Sequence, residues 1–569
     1  GFDSKHVLIL IDGQPLISPT GSSADLDQVS ASDIAQIEVL KGAASVLYGS
    51  AAMGGVINII TKKELGDQLS ISYEAGSYLD NAVKGGDKIS HLAKINAATK
   101  WHKWQHKANI QIIEDSGFDY DSETVSQNAA ELSKLFVNLS SFGQIKGLNA
   151  GVKYQYFDEL KERPTSSIPG QTGFIHYKSD VKQHQFDLLL DNKADFWKVN
   201  ARYISHTENS GQSNSLRDTE IELAEIDGQK VWQIGDISPK RENDSGSEIV
   251  AGFVAHFDSL DQIKPASNSV EIDNETRHSI ESYAQYNFIT PDHQVLVGVR
   301  GQDDSDFGFQ SALRISGMLD FSQQDYSLQL RGGYGQGYRV PDLKERYYIF
   351  DHSNLGYMVL GDENLTPEEA DNFTASLSFT SQAFGNSANI SLEVSAHYSE
   401  TDDLITSILD PDESELTGLS IYRYTNLEKA DIYGFNLSSE LTFDHWMFQA
   451  NYSYVDSEDQ DGIRLEDRPR HQVKVNFGYD FTEHDIETLL SLPYQADEAV
   501  PDGFAGEETA TYTIVNFKLN HYIDQHIQWH LALNNIFDEH LSPDAAQQGL
   551  FDPRPTHSQE VRIGLKYTF

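Results

Sequence analysis

The sequence predicts a mainly β protein: a large antiparallel transmembrane β-barrel with a small N-terminal α/β plug inside its lumen. Three observations predict this. Apolar and polar residues alternate with period two along most of the chain. Connections alternate between short turns and long acidic stretches such as 204–248 and 456–468. The aliphatic runs are as short as Val7–Ile11 and Val56–Ile60, far below the roughly 20 residues a membrane helix needs.

The first 63 residues lack the alternation and read as one compact mixed unit. Val7–Ile11 is a buried strand that ends at the turn pair Asp12-Gly13, and Ile34–Leu40 is a second strand. Ala43–Gly49 is a single helical turn with a glycine stop, and Gly54-Gly55 leads into a third strand, Val56–Thr61. From about residue 69 the two-residue period takes over. Leu69, Ile71, Tyr73 and Ala75 alternate with Ser70, Ser72, Glu74 and Gly76, and similar sets follow at 150–156, 392–398, 446–454, 473–479 and 561–569. Aromatic residues stand near the ends of such sets (Trp101, Tyr156, Trp197, Tyr203, Trp446, Tyr454, Tyr567), where the girdles of a membrane barrel belong. Residues 64–569 divided over 22 strands, the number of a plugged barrel, leave about 23 residues for each strand and its connection. A stack of soluble β-domains, with its apolar faces meeting in dry cores, fits the same alternation.

Composition narrows the function. The 569 residues hold 87 Asp and Glu against 42 Lys and Arg, a net charge of −45, which argues against a nucleic-acid partner. With no cysteine there are no disulfides, thiolate metal sites or thiol nucleophiles.

Four blocks in order, Val7–Leu16, Ile37–Gly42, Leu47–Ser50 and Gly54–Thr61, resemble the plug of TonB-dependent outer-membrane receptors. Arg468–His471, Leu533–Asp538 and the terminal Tyr567-Thr568-Phe569 resemble barrel motifs of the same family. The resemblance covers essentially the whole chain and implies residues 1–63 as plug and 64–569 as barrel. It also implies a Gram-negative outer-membrane location in contact with lipid, active import of a scarce ligand, and the TonB–ExbB–ExbD complex as energy-transducing partner. Family members carry a TonB box and further plug before the Asp-Gly block. Only Gly1–His6 precede that block here, so we expect the N-terminal part of the plug to be missing from this chain.

A plug faces polar barrel walls, so its contacts should be charged and hydrogen-bonded. Glu38 and Lys41 have the spacing to meet charges on the wall, or to stand as solvated charges on their strand. Ser18, Thr20 and Ser22 lie in a small polar loop that either presents a plug apex to ligand or simply connects two strands.

The stretch Tyr338–Pro367 resembles the segment that haem receptors of the family carry, an aromatic-Arg-Ala-Pro block and an Asn-Pro-x-Leu block with a histidine between. Here Tyr338-Arg339-Val340-Pro341 stands for the first and Asp362-Glu363-Asn364-Leu365 for the second, which has lost its proline, and His352 falls between them. Related blocks occur in siderophore and colicin-type receptors. The resemblance implies His352 as a haem-iron ligand among the aromatic residues Tyr347, Tyr348 and Tyr357, with Arg339, Lys344 and Arg346 for anionic groups. The alternative for His352 is an exposed loop histidine. A second axial ligand is expected from the plug, and His6, just before a buried strand, is a poor candidate.

The expected function is therefore a receptor, not an enzyme, with haem favoured over a ferric siderophore as transported ligand and no resident cofactor. A surface lipoprotein or haemophore is a candidate delivery partner. A cobalamin or glycan importer shares the fold, and a passive porin lacks the plug. Acidic stretches such as Asp459-Gln460-Asp461-Gly462 hold a fragment of a calcium loop, with surface solvation the favoured role.

Overall fold

The structure is a computed structural model. It describes every residue except 1, 3, 17–25, 27–33, 43, 62–66, 84–87, 121–126, 167–173, 213–214, 236–244, 324, 353–356, 384–387, 467, 501–508, 510 and 541–555, and except the side chains of a few strand residues beside these. Ser18, Thr20 and Ser22 lie outside the described residues.

The N-terminal unit is a four-stranded sheet of β1 (Val7–Ile11), β2 (Gln14–Pro15), β3 (Ile34–Lys41) and β4 (Gly55–Thr61), in the order β2-β1-β4-β3. Strands β1 and β4 run parallel, with Leu8 opposite Val56 and Ile11 opposite Ile59. The Asp12-Gly13 turn needs positive φ at both residues (53° and 77°), which aspartate and glycine tolerate. Asp12 also ties the turn to the end of β4, accepting from the backbone N–H of Thr61 at 2.9 Å and from its hydroxyl at 2.8 Å. One face of the sheet packs Leu8, Leu10 and Val56 against Ala44 and Ala52, which flank the single-turn helix α1 (Ser45–Tyr48).

The remaining strands form a closed antiparallel barrel of 22 strands. The last strand, Glu560–Thr568, pairs with the first, Gln68–Ser77, setting Tyr567 opposite Ile71 and Leu565 opposite Tyr73. Adjacent side chains decide between a dry core and a lipid-facing wall. Leu188 is 56% exposed on the outside, while its neighbour Asp187 is 4% exposed inside, bonded to Arg202 at 2.8 Å. The apolar faces point outward and the charged faces line the lumen, the inverse of a soluble sandwich. Girdles frame the apolar band. Trp101 and Trp446 stand at the end where strands are joined by two-residue turns, 102–103 and 444–445. At the other rim Tyr334, Phe373 and Tyr398 form a row, with ring separations of 5.0 and 6.3 Å.

Long connections leave the opposite end of the barrel, which by the family-independent asymmetry of such barrels faces the cell exterior. The stretch 204–248, expected as a long acidic loop, is instead largely strand: Trp197–Gln212, Ser215–Gly235 and the start of Gly246–Lys264. Strands as long as Ser420–Phe443 exceed the 9–11 residues needed to cross the bilayer, so the sheet continues into water, where acidic residues suit both of its faces.

Candidate ligand-binding site

The plug is held in the lumen by polar contacts. Lys41 Nζ at the end of β3 donates to Glu393 at 2.9 Å and to Ser395 Oγ at 3.1 Å on the barrel wall. Glu38, expected either to make the same kind of contact or to stand as a solvated charge on its strand, makes no ion pair with the wall among the described residues. It accepts from Gln36 at 3.2 Å and Asn58 at 3.0 Å within the plug sheet, because both neighbours lie on its own face. Below α1 the wall fits closely. Val46 packs with Ala312 and Tyr338, its carbonyl accepts from Arg300 at 3.3 Å, and Ser50 Oγ accepts from the backbone N–H of Val340 at 3.0 Å.

The stretch from Tyr338 onward leaves strand Tyr326–Arg339 and turns over the plug. Asp342 caps the five-residue helix α2 (Leu343–Tyr347) in a reciprocal capping box with Glu345. The box fixes Glu345 for a second task. Arg339 donates to both Glu345 oxygens at 2.8 and 2.9 Å, and to Glu368 at 2.6 and 3.2 Å. Two plug residues complete this buried network: Lys5 Nζ donates to Glu345 at 3.1 Å, and His6 Nε2 lies 2.8 Å from Glu368. Glu368 also accepts from the backbone N–H of Ile405 at 2.7 Å. Burial would raise the Glu345 carboxyl, yet Arg339 and Lys5 outweigh it and hold the group below its ordinary range. Burial, then the Glu345 charge, hold Asp342 above its ordinary range. Burial lowers the His6 imidazole against the pull of Glu368, so His6 is neutral, donates through Nε2 and leaves its buried Nδ1 without a partner among the described residues.

The basic residues of this stretch are all occupied. Arg339 lies in the network, Lys344 donates to Glu208 at 3.1 Å, and Arg346 pairs with Asp306 and sits over the ring of Tyr347 at 4.7 Å. Around them the mouth is walled by tyrosine. Tyr348 lies under Lys344, with Nζ 4.5 Å from the ring centre. Tyr357 meets Tyr422 edge-on at 6.5 Å, and Tyr177 lies within electrostatic reach of both Tyr348 and Tyr357. Tyr424 faces the Arg339 network from strand Ser420–Phe443. Burial, then Glu208, push the Tyr348 phenol up to about 12, so it is a neutral ring with a hydroxyl donor rather than a tyrosinate. Arg163, directly opposite Tyr177 in the sheet, is near Tyr357 and has no carboxylate partner among the described residues. His352 ends the strand Ile349–His352 and pairs with Tyr357 in the hairpin; its side chain lies outside the described residues.

The structure thus gathers Arg339, Lys344, Arg346, Tyr347, Tyr348 and Tyr357 at one mouth, as their closeness in sequence suggests. It adds Tyr177, Tyr422, Tyr424, Arg163 and Glu368, which sequence reasoning missed. Only Glu368 had a local signal, standing directly after Pro367. Strand pairing across the barrel brings in the others.

Two family models match the chain: the TonB-dependent receptor plug domain over residues 1–56 and the TonB-dependent receptor-like β-barrel over residues 126–536. The vitamin B12 transporter BtuB of Photobacterium profundum is 23% identical over 546 residues, covering 95% of this chain and 81% of that protein. The iron-regulated outer membrane virulence protein of Vibrio cholerae is 22% identical over 568 residues, covering 95% and 82%. Among solved structures, the siderophore receptor PirA of Acinetobacter baumannii superposes with a TM-score of 0.77 at 17% identity, covering 99% of this chain and 91% of that one. The haemophore receptor HasR of Serratia marcescens, solved with its haemophore HasA and haem, gives 0.74 at 11% identity, covering 100% and 92%. With its plug seated in a 22-stranded barrel and the barrel model matched over most of its length, the chain belongs to the TonB-dependent receptors of the Gram-negative outer membrane, a family of transporters and receptors.

Proposed function

We propose that this receptor captures haem at its tyrosine-walled outer mouth and imports it when the TonB–ExbB–ExbD complex acts on the plug. The observation that carries the reading is the state of the basic residues: Arg339, Lys344 and Arg346 are each held by carboxylates. An anionic ferric siderophore needs a free cationic cluster. A flat conjugated macrocycle needs aromatic faces instead, and the half-buried rings of Tyr177, Tyr357 and Tyr422 supply them, with Tyr348 packed beneath. Iron ligation we assign to His352, which ends its hairpin strand opposite Tyr357, because Tyr348 is buried beneath Lys344. Arg163 is placed to meet a propionate. Haem titration of the purified receptor is expected to shift the Soret band. His352→Ala should weaken binding at least tenfold, about 1.4 kcal/mol, and Arg163→Ala by a smaller factor. An unmoved Soret band rules haem out.

A second reading, import of a cobalamin, is favoured by the same shortage of free cations, which suits a macrocycle of low charge, and by the likeness to a vitamin B12 transporter. Cyanocobalamin binding that is indifferent to His352→Ala, with growth rescue by vitamin B12 in a receptor-deleted strain, selects it.

A further inference from the structure

A cavity of about 690 Å³ separates one side of the plug from the barrel wall, away from the tyrosine mouth. It exists because the wall there is stripped of side chains: Gly333 and Gly335 face the plug where other strands carry charged groups. At its lower end Gln294 and Met318 stand close to the short turns 290–292 and 321–325, so the gap reaches toward the cell interior.

Its charge is opposite to that of the molecule. In a chain of net charge −45, the cavity is lined by Lys41 of the plug and by Arg314 and Arg331 of the wall. Glu393 is the one carboxylate lining it among the described residues, and Lys41 already holds it at 2.9 Å. Neither arginine makes an ion pair among the described residues. Arg331 donates to Ser378 Oγ at 3.2 Å and to the Gln329 side chain, with Asp320 acting on it from the turn. For Arg314 the Tyr48 phenol is the one titratable group that acts on it among the described residues. Asn372, also lining the cavity, is buried, and its Nδ2 has no hydrogen-bond partner among the described residues. One half-buried guanidinium without a carboxylate partner among the described residues, a second that opens to the water of the gap without an ion pair, and an idle buried amide donor form a site short of an acceptor. A guanidinium fork matches a carboxylate or phosphate oxygen pair.

We infer that this gap is an oxyanion-binding station on the inner side of the plug, with Arg314 and Arg331 as its ligating residues. In import it receives a carboxylate or phosphate group of the transported ligand, a haem propionate if the proposed function holds.

Two measurements on the full receptor test this. Inorganic pyrophosphate is expected to raise the Tm of the wild type by about 2 °C and to leave Arg314→Ala/Arg331→Ala unmoved, while Arg314→Lys/Arg331→Lys recovers part of the shift. No shift in the wild type, or an equal shift in the alanine variant, overturns the station. This arm does not depend on which ligand is imported. The second arm compares cell-surface binding with uptake of haem. Unchanged surface binding, which also shows that the variant is folded, with uptake reduced about tenfold places the ligand's own carboxylates in the gap. Unchanged uptake alongside a lost pyrophosphate shift overturns that role and assigns the gap to a free anion. Absence of surface binding in the wild type sinks the haem reading and leaves the pyrophosphate result standing.

Discussion

Glu368 joins three parts of the molecule: it accepts from His6 of the plug, from Arg339 of the wall and from the backbone of Ile405. Its side chain is fully buried, so removing it strands Arg339 beside a single carboxylate in a dry setting. Glu368→Ala is expected to cost about 3–5 kcal/mol, read as a lower Tm and faster proteolysis of the plug; an unchanged melt would show the network to be ornamental. His6 gives the same junction a pH dependence. Burial, opposed by Glu368 and aided by Arg339 and Lys5, holds its imidazole below the ordinary 6.5. As pH falls, the unfolded chain takes up this proton before the folded chain does. The His6 contribution is therefore complete above about 6.5 and is lost as pH drops below that value. His6→Gln should flatten the acid limb of a Tm-against-pH curve. Lys41 shows what a sequence can reveal at this scale: a cation at the end of a plug strand finds a wall carboxylate with little freedom to do otherwise. The task of His6 was illegible because its place just before a buried strand gives no sign that its imidazole would meet a wall carboxylate.

Helix α2 spans five residues, too few for a periodic signal, and was not anticipated. Its start was nevertheless written in Pro341-Asp342 followed by Glu345, the spacing of a capping box. The strands were legible for the opposite reason: alternation over ten or more residues is a strong local pattern, and lipid enforces it on every strand. At 204–248 it was overlooked, because the acidic outer ends of Trp197–Gln212 and Ser215–Gly235 stand in water and carry no strict alternation, although Ile226, Trp232 and Ile234 still face outward further along the second strand. The tyrosine mouth was half legible. Tyr347, Tyr348 and Tyr357 share one connection, whereas Tyr177 and Tyr422 come from strands that only barrel closure makes neighbours. Two substitutions separate the cap of α2 from its charge. Asp342→Ala deletes the cap oxygen and should cost about 1 kcal/mol in thermal stability. Asp342→Asn keeps an oxygen for the Glu345 N–H and removes a carboxyl that burial and Glu345 hold above its ordinary range. A raised carboxyl gives up stability as pH rises past its unfolded value, so Asp342→Asn is expected to equal or exceed the wild type at pH 8. Equal losses in both variants would contradict this assignment.

For the whole molecule, an inside-out wall implies that a buried lumen and an exposed apolar band coexist on every strand, one residue apart. Strand Ser420–Phe443 crosses the band between Tyr433 at the outer girdle and Phe443 beside Trp446 at the inner one, a span near the 9–11 residues a tilted strand needs. Leu437 lies midway, in one outward row with Leu377 and Val394. Its neighbour Ser438 points the other way, into a lumen already lined with Asn436 and Glu393. The same arginine placed at these adjacent positions should therefore have unequal effects. Leu437→Arg puts a charge at the bilayer midplane and is expected to cost about 2–4 kcal/mol, lowering the heat-modifiable, folded fraction recovered from outer membranes. Ser438→Arg enters a hydrated, acidic lumen and should leave that fraction near the wild-type level. A sheet closed around a dry apolar core would reject Leu437→Arg as well, so a fluorophore attached to Leu437→Cys, in a chain with no other cysteine, makes the distinction: brominated lipid should quench it in the membrane barrel and leave it bright in a dry core. The arginine pair shows which face is apolar, and quenching from the bilayer shows that this face meets lipid rather than another sheet.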